Sequence, residues 1–347
     1  MKKTILFLLV VYLFVMPVSA MEITAPPAPN SAREHMPESS GNFGDDLWYI
    51  IKSASKELYP NLIEAVEICV SLIAIIILIS LLHSFANTTT QIVTLVGTLC
   101  IGILLLSPSD SLISFGIQTI TELEEYGKLL FPVMTTALAA EGSITTSAAL
   151  YAGTIAFNTV LSAVITAVIV PLIYIFIALS IASSVIDESS LKKIKDFIKW
   201  IMTWSLKISI YLFTGYLGIT GVVSGTADAA AIKATKLAFN GFVPVVGSII
   251  SDASETVLVS AGLMKNAAGI YGLLVFLTVW ITPFIRIGSH YFVLKLTTAA
   301  SAAIGSKATV SLIEDFSVVM GFLLAMTGTV CLLHMISTVC FMRGFSV

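Results

Sequence analysis

Two acidic residues have the setting in which ionisable groups often act: Asp252 and Glu255 follow Pro244 in a segment dominated by Val, Ile, Ser and Ala. Their i, i+3 spacing places both carboxylates on one face of a helix. Ionisable groups within a membrane usually face a cavity or a partner, which predicts a path or gate. The same spacing is also that of a capping box, with Asp252 as N-cap and Glu255 three residues later. The sequence leaves both interpretations open.

Cys331 and His334 carry metal-binding side chains three residues apart, so they share one helix face. Two ligands do not complete a zinc site, and core packing is the favoured interpretation. The sequence contains no Walker loop, H-E-x-x-H motif, dinucleotide fingerprint or Gly-x-Ser-x-Gly elbow. We therefore expect a protein that is not an enzyme, with no catalytic residues, no cofactor and no metal.

The composition indicates what must surround these residues. Only 11% of the 347 residues are charged and 57% are hydrophobic, with a mean hydropathy of +0.98. A soluble domain needs a more polar surface, so the lipid bilayer must cover much of this one. The net charge of −3 offers no basic excess for binding phosphates, and we expect no nucleic acid partner. The expected fold class is all-α, a polytopic helical membrane protein.

The chain divides into three predicted regions. Two lysines, an apolar run and a Val-Ser-Ala sequence predict a signal peptide over residues 1–20, and the sequence leaves its cleavage open. Residues 21–60 are expected to form an extracytoplasmic linker that ends in an amphipathic helix. The polytopic membrane domain is predicted over residues 61–347.

A helix needs about twenty apolar residues to cross the hydrocarbon core. Six segments are predicted to do so: Val66–His83, Gln91–Leu106, Gly153–Ser183, Ile208–Val223, Ala267–Ile287 and Phe316–Met342. With an extracytoplasmic mature N-terminus, six crossings place residues 107–152 outside and residues 184–207 in the cytoplasm. The first segment is acidic and the second is rich in lysine, which agrees with the positive-inside rule.

The cytoplasmic basic loop contains Lys192, Lys193, Lys195 and Lys199. Apolar residues recur at helical spacing opposite these lysines. The favoured interpretation is a surface helix whose lysines reach anionic headgroups, and a docking helix for a partner is the alternative.

The prolines indicate an internal duplication. Pro132 and Pro171 are 39 residues apart, as are Pro244 and Pro283, and an offset of 112 residues relates the two pairs. Pro171 and Pro283 are predicted to kink the second span of each copy. Both copies enter the membrane in the same sense, which predicts a parallel repeat. Its units lie at approximately 91–202 and 203–314, followed by a final span at 316–342.

Each unit contains an interrupted apolar piece, at Phe131–Leu150 and Phe242–Asn266. Non-helical backbone at membrane depth survives only where protein or water satisfies its polar groups. Paired interruptions in two halves point to a transport path, while segments lying flat on the outer surface are the alternative. The candidate path or gate residues are Pro132, Pro244, Gly247, Asp252, Glu255, Lys265 and Asn266.

The second interrupted piece carries a resemblance to a known family. It contains Phe-Val-Pro-Val-Val-Gly at 242–247, followed by Ser-Asp-Ala at 251–253, Glu-Thr-Val-Leu at 255–258 and Met-Lys-Asn-Ala at 264–267. With this combination the chain resembles the stage III sporulation protein AE family, over somewhat more than half of its length.

The resemblance implies a non-enzymatic component of a channel or secretion-like apparatus between mother cell and forespore, needed for endospore development. It implies a multi-pass protein of the mother-cell membrane around the forespore. Its expected partners are other stage III sporulation membrane proteins and a companion secretion-type ATPase. Glycine stripes in the fourth and sixth spans also favour tight bundling or a homo-oligomer. The alternatives are a self-sufficient small-molecule permease, which a parallel repeat would suit, and an assembly scaffold without a pore.

Overall fold

The computed structural model describes residues 25–37, 42–85, 90–186, 189–242 and 247–343, with the backbone alone at 90–91, 189, 218–242, 247–261 and 264. Apart from short connections, this part of the chain is helical and contains no strand. The predicted all-α fold class is confirmed. The signal peptide predicted at 1–20 and Pro244 lie outside the described residues.

The described helices follow one another with few intervening residues. In chain order they are α1 (Asn30–Arg33), α2 (Phe43–Phe85), α3 (Thr90–Ala140), α4 (Ile144–Val164), a π-helix (Ile165–Ile169), α5 (Val170–Ile186), α6 (Ser189–Phe242), α7 (Gly247–Ser301) and α8 (Lys307–Arg343).

Five helical stretches of the described chain are long and apolar enough to cross a membrane: Phe43–Phe85, Ile92–Ala140, Ile144–Ile186, Lys265–Ser301 and Lys307–Arg343. Each contains one predicted span. The remaining predicted span, Ile208–Val223, lies in α6, where the side chains beyond Leu217 are not described. The described residues therefore agree with a helical membrane protein.

Contacts along the helices show how they run. Gly116 lies against Met326 and Gly127 against His334, so α3 and α8 are parallel. Along α7 the order is reversed, because Gly272 contacts Leu130 whereas Ile287 lies against Gly116. Helices α7 and α8, which follow one another, thus cross the bundle in opposite directions.

Helix α8 forms the centre of the bundle. It packs against α7 and α3, and 67% of its most apolar stretch is buried, compared with 22% for α2. Its buried hydroxyls are satisfied within the helix, as Thr327 donates to the Leu323 carbonyl and Ser337 to the Leu333 carbonyl. Such bonds let small polar residues pack between apolar helices.

The first interruption is narrower than the sequence indicated. Helix α3 continues through Pro108 and Pro132, so the stretch 131–140, predicted as part of a broken piece, is helical. The break is confined to residues 141–143, where Gly142 has a φ of 92°, a conformation that favours glycine. Buried side chains recur along α3 at helical spacing and hold it in place beyond the predicted span Gln91–Leu106; they include Leu112, Ile113, Ile120, Leu123 and Tyr126.

The two prolines predicted to kink second spans have different local surroundings. Pro171 lies two residues after the end of the π-helix, whereas Pro283 lies within an uninterrupted α-helix. Proline lacks the N–H that would bond to the carbonyl four residues earlier, and a π-turn is one way to accommodate that loss. The kinks are therefore not identical in the two predicted copies.

In each predicted repeat unit one long helix ends and another long helical run begins within a few residues. The helix ends do not keep the 112-residue offset, however, because α3 ends at Ala140 and α6 ends 102 residues later at Phe242. Pro132 lies inside α3, whereas Pro244 follows the end of α6. The parallel repeat remains a prediction. A repeat that keeps the 112-residue offset without gaps does not fit these helix boundaries.

Candidate functional site

A buried ion pair joins the first interruption to α7. Lys265, which is only 4% exposed, donates from Nζ to Oε2 of Glu141, the first residue after α3. Glu141 was predicted as one acidic residue of an outer segment, and Lys265 was predicted as a path residue. The structure places them together, so the break after α3 contacts α7, which is helical from Gly247 onwards through most of the predicted second interrupted piece.

Gly262 makes room for this pair. It lies one turn before Lys265, and a Cβ at this position would be 2.7 Å from Oε1 of Glu141. A larger residue would therefore push the carboxylate away from the ammonium. Sequence analysis missed Gly262, because a glycine within a helix gives no sign of the side chain it approaches.

Breaking a buried ion pair by removing one partner typically costs about 3–5 kcal/mol, because it leaves a charge buried without compensation. The Glu141 side chain is 21% exposed and the Lys265 side chain 6%, so the lysine depends more on its partner. The pair can hold the helix break at a defined place on α7.

The other candidate path residues are distributed unevenly. Pro132 is half-buried in α3, and Asn266 is exposed beside Lys265. Gly247, Asp252 and Glu255 lie along the first turns of α7, where the structure describes the backbone only. Helix α7 begins at Gly247, five residues before Asp252, so the interpretation of Asp252 as an N-cap is wrong, whereas the path or gate interpretation of Asp252 and Glu255 remains a prediction.

Further into the bundle than the ion pair between Glu141 and Lys265, His334 lies in an aromatic core. Its ring stacks on Phe131 at 5.7 Å and is tilted against Phe276 at 4.9 Å between centroids. Nδ1 pairs with the Val330 carbonyl at 2.8 Å, and Nε2 is 3.4 Å from the amide nitrogen of Asn158. A Cβ on Gly127 would be 2.7 Å from this ring, so glycine is required for the approach of α3.

Cys331 is buried in the same core, and its Sγ donates to the Phe276 carbonyl at 3.6 Å. Among the described residues, no group of three side chains is arranged to hold a metal ion. Both members of the predicted pair thus pack in the core. Sequence analysis missed Asn158, although an amide in the uncharged stretch 142–186 was a signal for it.

A second buried ion pair lies at the opposite end of the bundle. Lys195 of α6 donates from Nζ to Asp315 near the start of α8, and their side chains are 8% and 15% exposed. Lys192, Lys193 and Lys199 are exposed as predicted for a surface helix. Lys195 is not available to headgroups, because its ammonium is buried against the carboxylate.

Two weaker ion pairs link further helices. Arg286 of α7 is 3.6 Å from Glu64 of α2, and Lys295 of α7 is 3.5 Å from Glu314 of α8. The arrangement can fix the relative positions of helices through charge. Within the described residues it combines no nucleophile with a general base.

Comparisons with known proteins agree with this architecture. The model of the stage III sporulation protein AE family matches residues 31–344. The stage III sporulation protein AE of Bacillus subtilis (strain 168) is 22% identical over 154 residues, which are 44% of this chain and 39% of that relative. The match thus spans well under two thirds of the relative's length. No solved structure matches. Since the family model extends from α1 to beyond the end of α8, the protein belongs to the stage III sporulation protein AE family.

Proposed function

We propose that the protein is a non-enzymatic integral membrane component of the sporulation channel or secretion-like apparatus between mother cell and forespore, needed for endospore development. Family membership supports a role in stage III of sporulation. The proposed partners are other stage III sporulation membrane proteins and a companion secretion-type ATPase. The proposed location is the mother-cell membrane around the forespore, with the mature N-terminus extracytoplasmic.

The ion pair between Glu141 and Lys265 is the observation that carries this proposal. It connects the break after α3 with α7, so the two interrupted pieces act together at one end of the bundle. Asp252 and Glu255 lie on the same helix, roughly 15–20 Å from Lys265 at about 1.5 Å per residue. The candidate gate thus extends from the ion pair towards the start of α7.

A small cavity beside Pro108 and His290 bears on the permease alternative. Its volume is about 10 Å³, room for roughly one water molecule. A permease needs a site of cargo size near the middle of the bundle. The cavity beside Pro108 and His290 is too small for a cargo, which supports a conduit completed by other copies or partners over a permease site at this position.

The test is sporulation with Glu141→Gln or Lys265→Met replacing the native residue in the chromosome. We expect heat-resistant spores and late forespore gene expression to fall about tenfold or more, while the protein still accumulates in the membrane. Such a loss corresponds to about 1.4 kcal/mol in an equilibrium, well within the range for a broken buried pair. The exchange Glu141→Lys with Lys265→Glu should partly restore spore formation.

Lys128→Gln is the matched control, because Lys128 lies in α3, is largely exposed, and pairs with Glu124 one turn away at 3.0 Å. It should have no effect on spore yield, since exposed pairs contribute little. Normal spore yield from both single variants would contradict the proposed role of the junction. Cargo transport by the purified protein alone in liposomes would favour the permease instead.

A further inference from the structure

The first turns of α6 have two distinct faces. Lys195, Ile198, Met202 and Leu206 recur every three or four residues and are at most 7% exposed. They point towards the bundle, where Lys195 pairs with Asp315 of α8. This ion pair and the apolar residues after it determine which side of α6 faces outwards.

The outward side carries a row of aromatic rings. Phe197, Trp200 and Trp204 are 60%, 55% and 43% exposed, and the row continues along the same face to Tyr211. The Phe197 and Trp200 rings stack with centroids 6.0 Å apart, and the Trp200 and Trp204 centroids are 6.2 Å apart. Large rings that stack on each other in an exposed row form a surface that water solvates poorly.

Exposed lysines surround this row. Lys193 lies one turn before Phe197, and Lys207 lies one turn after Trp204, on the same side of the helix. Lys192 and Lys199 are also exposed, but they lie about 100–120° around the helix from the row. None of these four lysines has an ion-pair partner among the described residues, in contrast to Lys195.

The lysines limit where the aromatic row can be. A lysine in the hydrocarbon core is costly, and several lysines in the first turns of α6 keep this stretch out of the core. The rings are therefore at the membrane surface or outside it. Tryptophan is the side chain that most favours the boundary between acyl chains and headgroups, and lysine ammoniums there meet lipid phosphates.

We propose that the face of α6 formed by Lys193, Phe197, Trp200, Trp204 and Lys207 binds anionic phospholipid. The rings insert at the level of the glycerol and upper acyl chains, and the two flanking ammoniums bind headgroup phosphates. The ion pair between Lys195 and Asp315 holds the face towards the lipid. This site is independent of the junction at Glu141 and Lys265, which lies at the other end of the bundle.

The experiment uses the full chain in nanodiscs that contain equal amounts of phosphatidylglycerol and phosphatidylcholine. Two samples have the same lipid composition: in one the phosphatidylglycerol is brominated, and in the other the phosphatidylcholine is. Bromine quenches tryptophan fluorescence at short range, so the stronger quenching shows which lipid is next to the rings. We expect stronger quenching by brominated phosphatidylglycerol, reflecting local enrichment of about fivefold for each lysine engaged. The preference should weaken at high salt, because the attraction is screened.

Variants assign the signal to this face. Trp200→Phe with Trp204→Phe should remove the preference, whereas Trp48→Phe should leave it, since Trp48 is exposed at the acidic start of α2. Lys193→Gln with Lys207→Gln should also remove it, and Lys128→Gln, a lysine at the opposite end, should not.

Two outcomes would overturn the proposal. Equal quenching by the two brominated lipids would show that the face does not select anionic headgroups. Protection of Trp200 and Trp204 from both lipids would show that protein covers the face, either a second copy of the chain or a partner.

Discussion

The two ends of the bundle contain the same kind of buried pair in different surroundings. Glu141 and Lys265 pair where residues 129–140 of α3 carry no charge, and Lys195 and Asp315 pair where α6 exposes lysines. At each end the lysine is the less exposed partner. The comparison separates two roles of charge: exposed residues orient the protein in the membrane, and buried pairs hold helices together whatever the charge around them.

The difference between the ends can be tested most directly by labelling. In a variant lacking the four native cysteines, Ser31→Cys and Thr121→Cys should react with a membrane-impermeant thiol reagent in intact cells, because both positions are exposed and lie in segments predicted to be extracytoplasmic. Lys193→Cys should be protected until the cells are permeabilised, since lysine-rich segments stay in the cytoplasm. In intact cells we expect full labelling at positions 31 and 121 and no labelling at position 193. Labelling of position 193 in intact cells would reverse the topology.

The second prediction concerns the buried pairs. Asp315→Asn should lower the free energy of unfolding by about 3–5 kcal/mol, because it leaves Lys195 buried without a carboxylate. Glu141→Gln should cost about the same, because the Lys265 side chain is buried as deeply as that of Lys195, at 6% and 8% exposure. Thermal unfolding of the purified full chain, followed by tryptophan fluorescence, measures both. Clearly unequal losses would mean that the surrounding charge influences the pairs.

A control for this second prediction removes both charges. Lys195→Met together with Asp315→Leu should be close to the native stability, because replacing a buried pair with apolar residues is often neutral or stabilising. A double variant as unstable as Asp315→Asn would show that shape, rather than uncompensated charge, explains the loss.

The smallest expected effects come from glycines. Gly127→Ala should destabilise by about 1–3 kcal/mol, because the added Cβ would be 2.7 Å from the buried His334 ring. Gly262→Ala should cost less, since its Cβ would be 2.7 Å from the end of the flexible Glu141 side chain, which can move away. Gly215→Ala has nothing within 4 Å and should stabilise α6 by roughly 0.5–1 kcal/mol. Unfolding curves of the three variants decide this. Similar behaviour at all three positions would contradict the close approaches.

The length of the apolar segments and the distribution of charged residues were enough to predict the helical fold and most of the spans, because both depend on composition averaged over about twenty residues. The break at Glu141–Ser143 was predicted too broadly. Proline and polar residues suggested an interruption from Phe131 onwards, but buried contacts of α3 extend the helix to Ala140. Local sequence does not show such contacts in advance.

The partners of the candidate residues were not predictable in the same way. Lys265 was singled out by its sequence surroundings, yet its pairing with Glu141 depends on how α3 and α7 meet, 124 residues apart in sequence. Lys195 looked equivalent to its neighbouring lysines, and only the rotation of α6 against α8 distinguishes it. Asp252 and Glu255 remain predictions for mutational tests.

The π-helix before Pro171 determines which side of α5 faces the bundle. Leu161, Ile165, Ile169 and Ile173 are all buried and are spaced four residues apart. In a regular α-helix each four-residue step overshoots a turn by about 40°, so three steps would rotate the last side chain by roughly 120°. The π-turn is wider and contains one more residue than an α-helical turn, which compensates for this rotation. The same side of α5 therefore still faces the bundle. Deleting a single residue within 165–169 should thus leave the same side of α5 facing the bundle. A deletion elsewhere in α4 or α5 should instead rotate the rest of the helix, so that different side chains face the bundle.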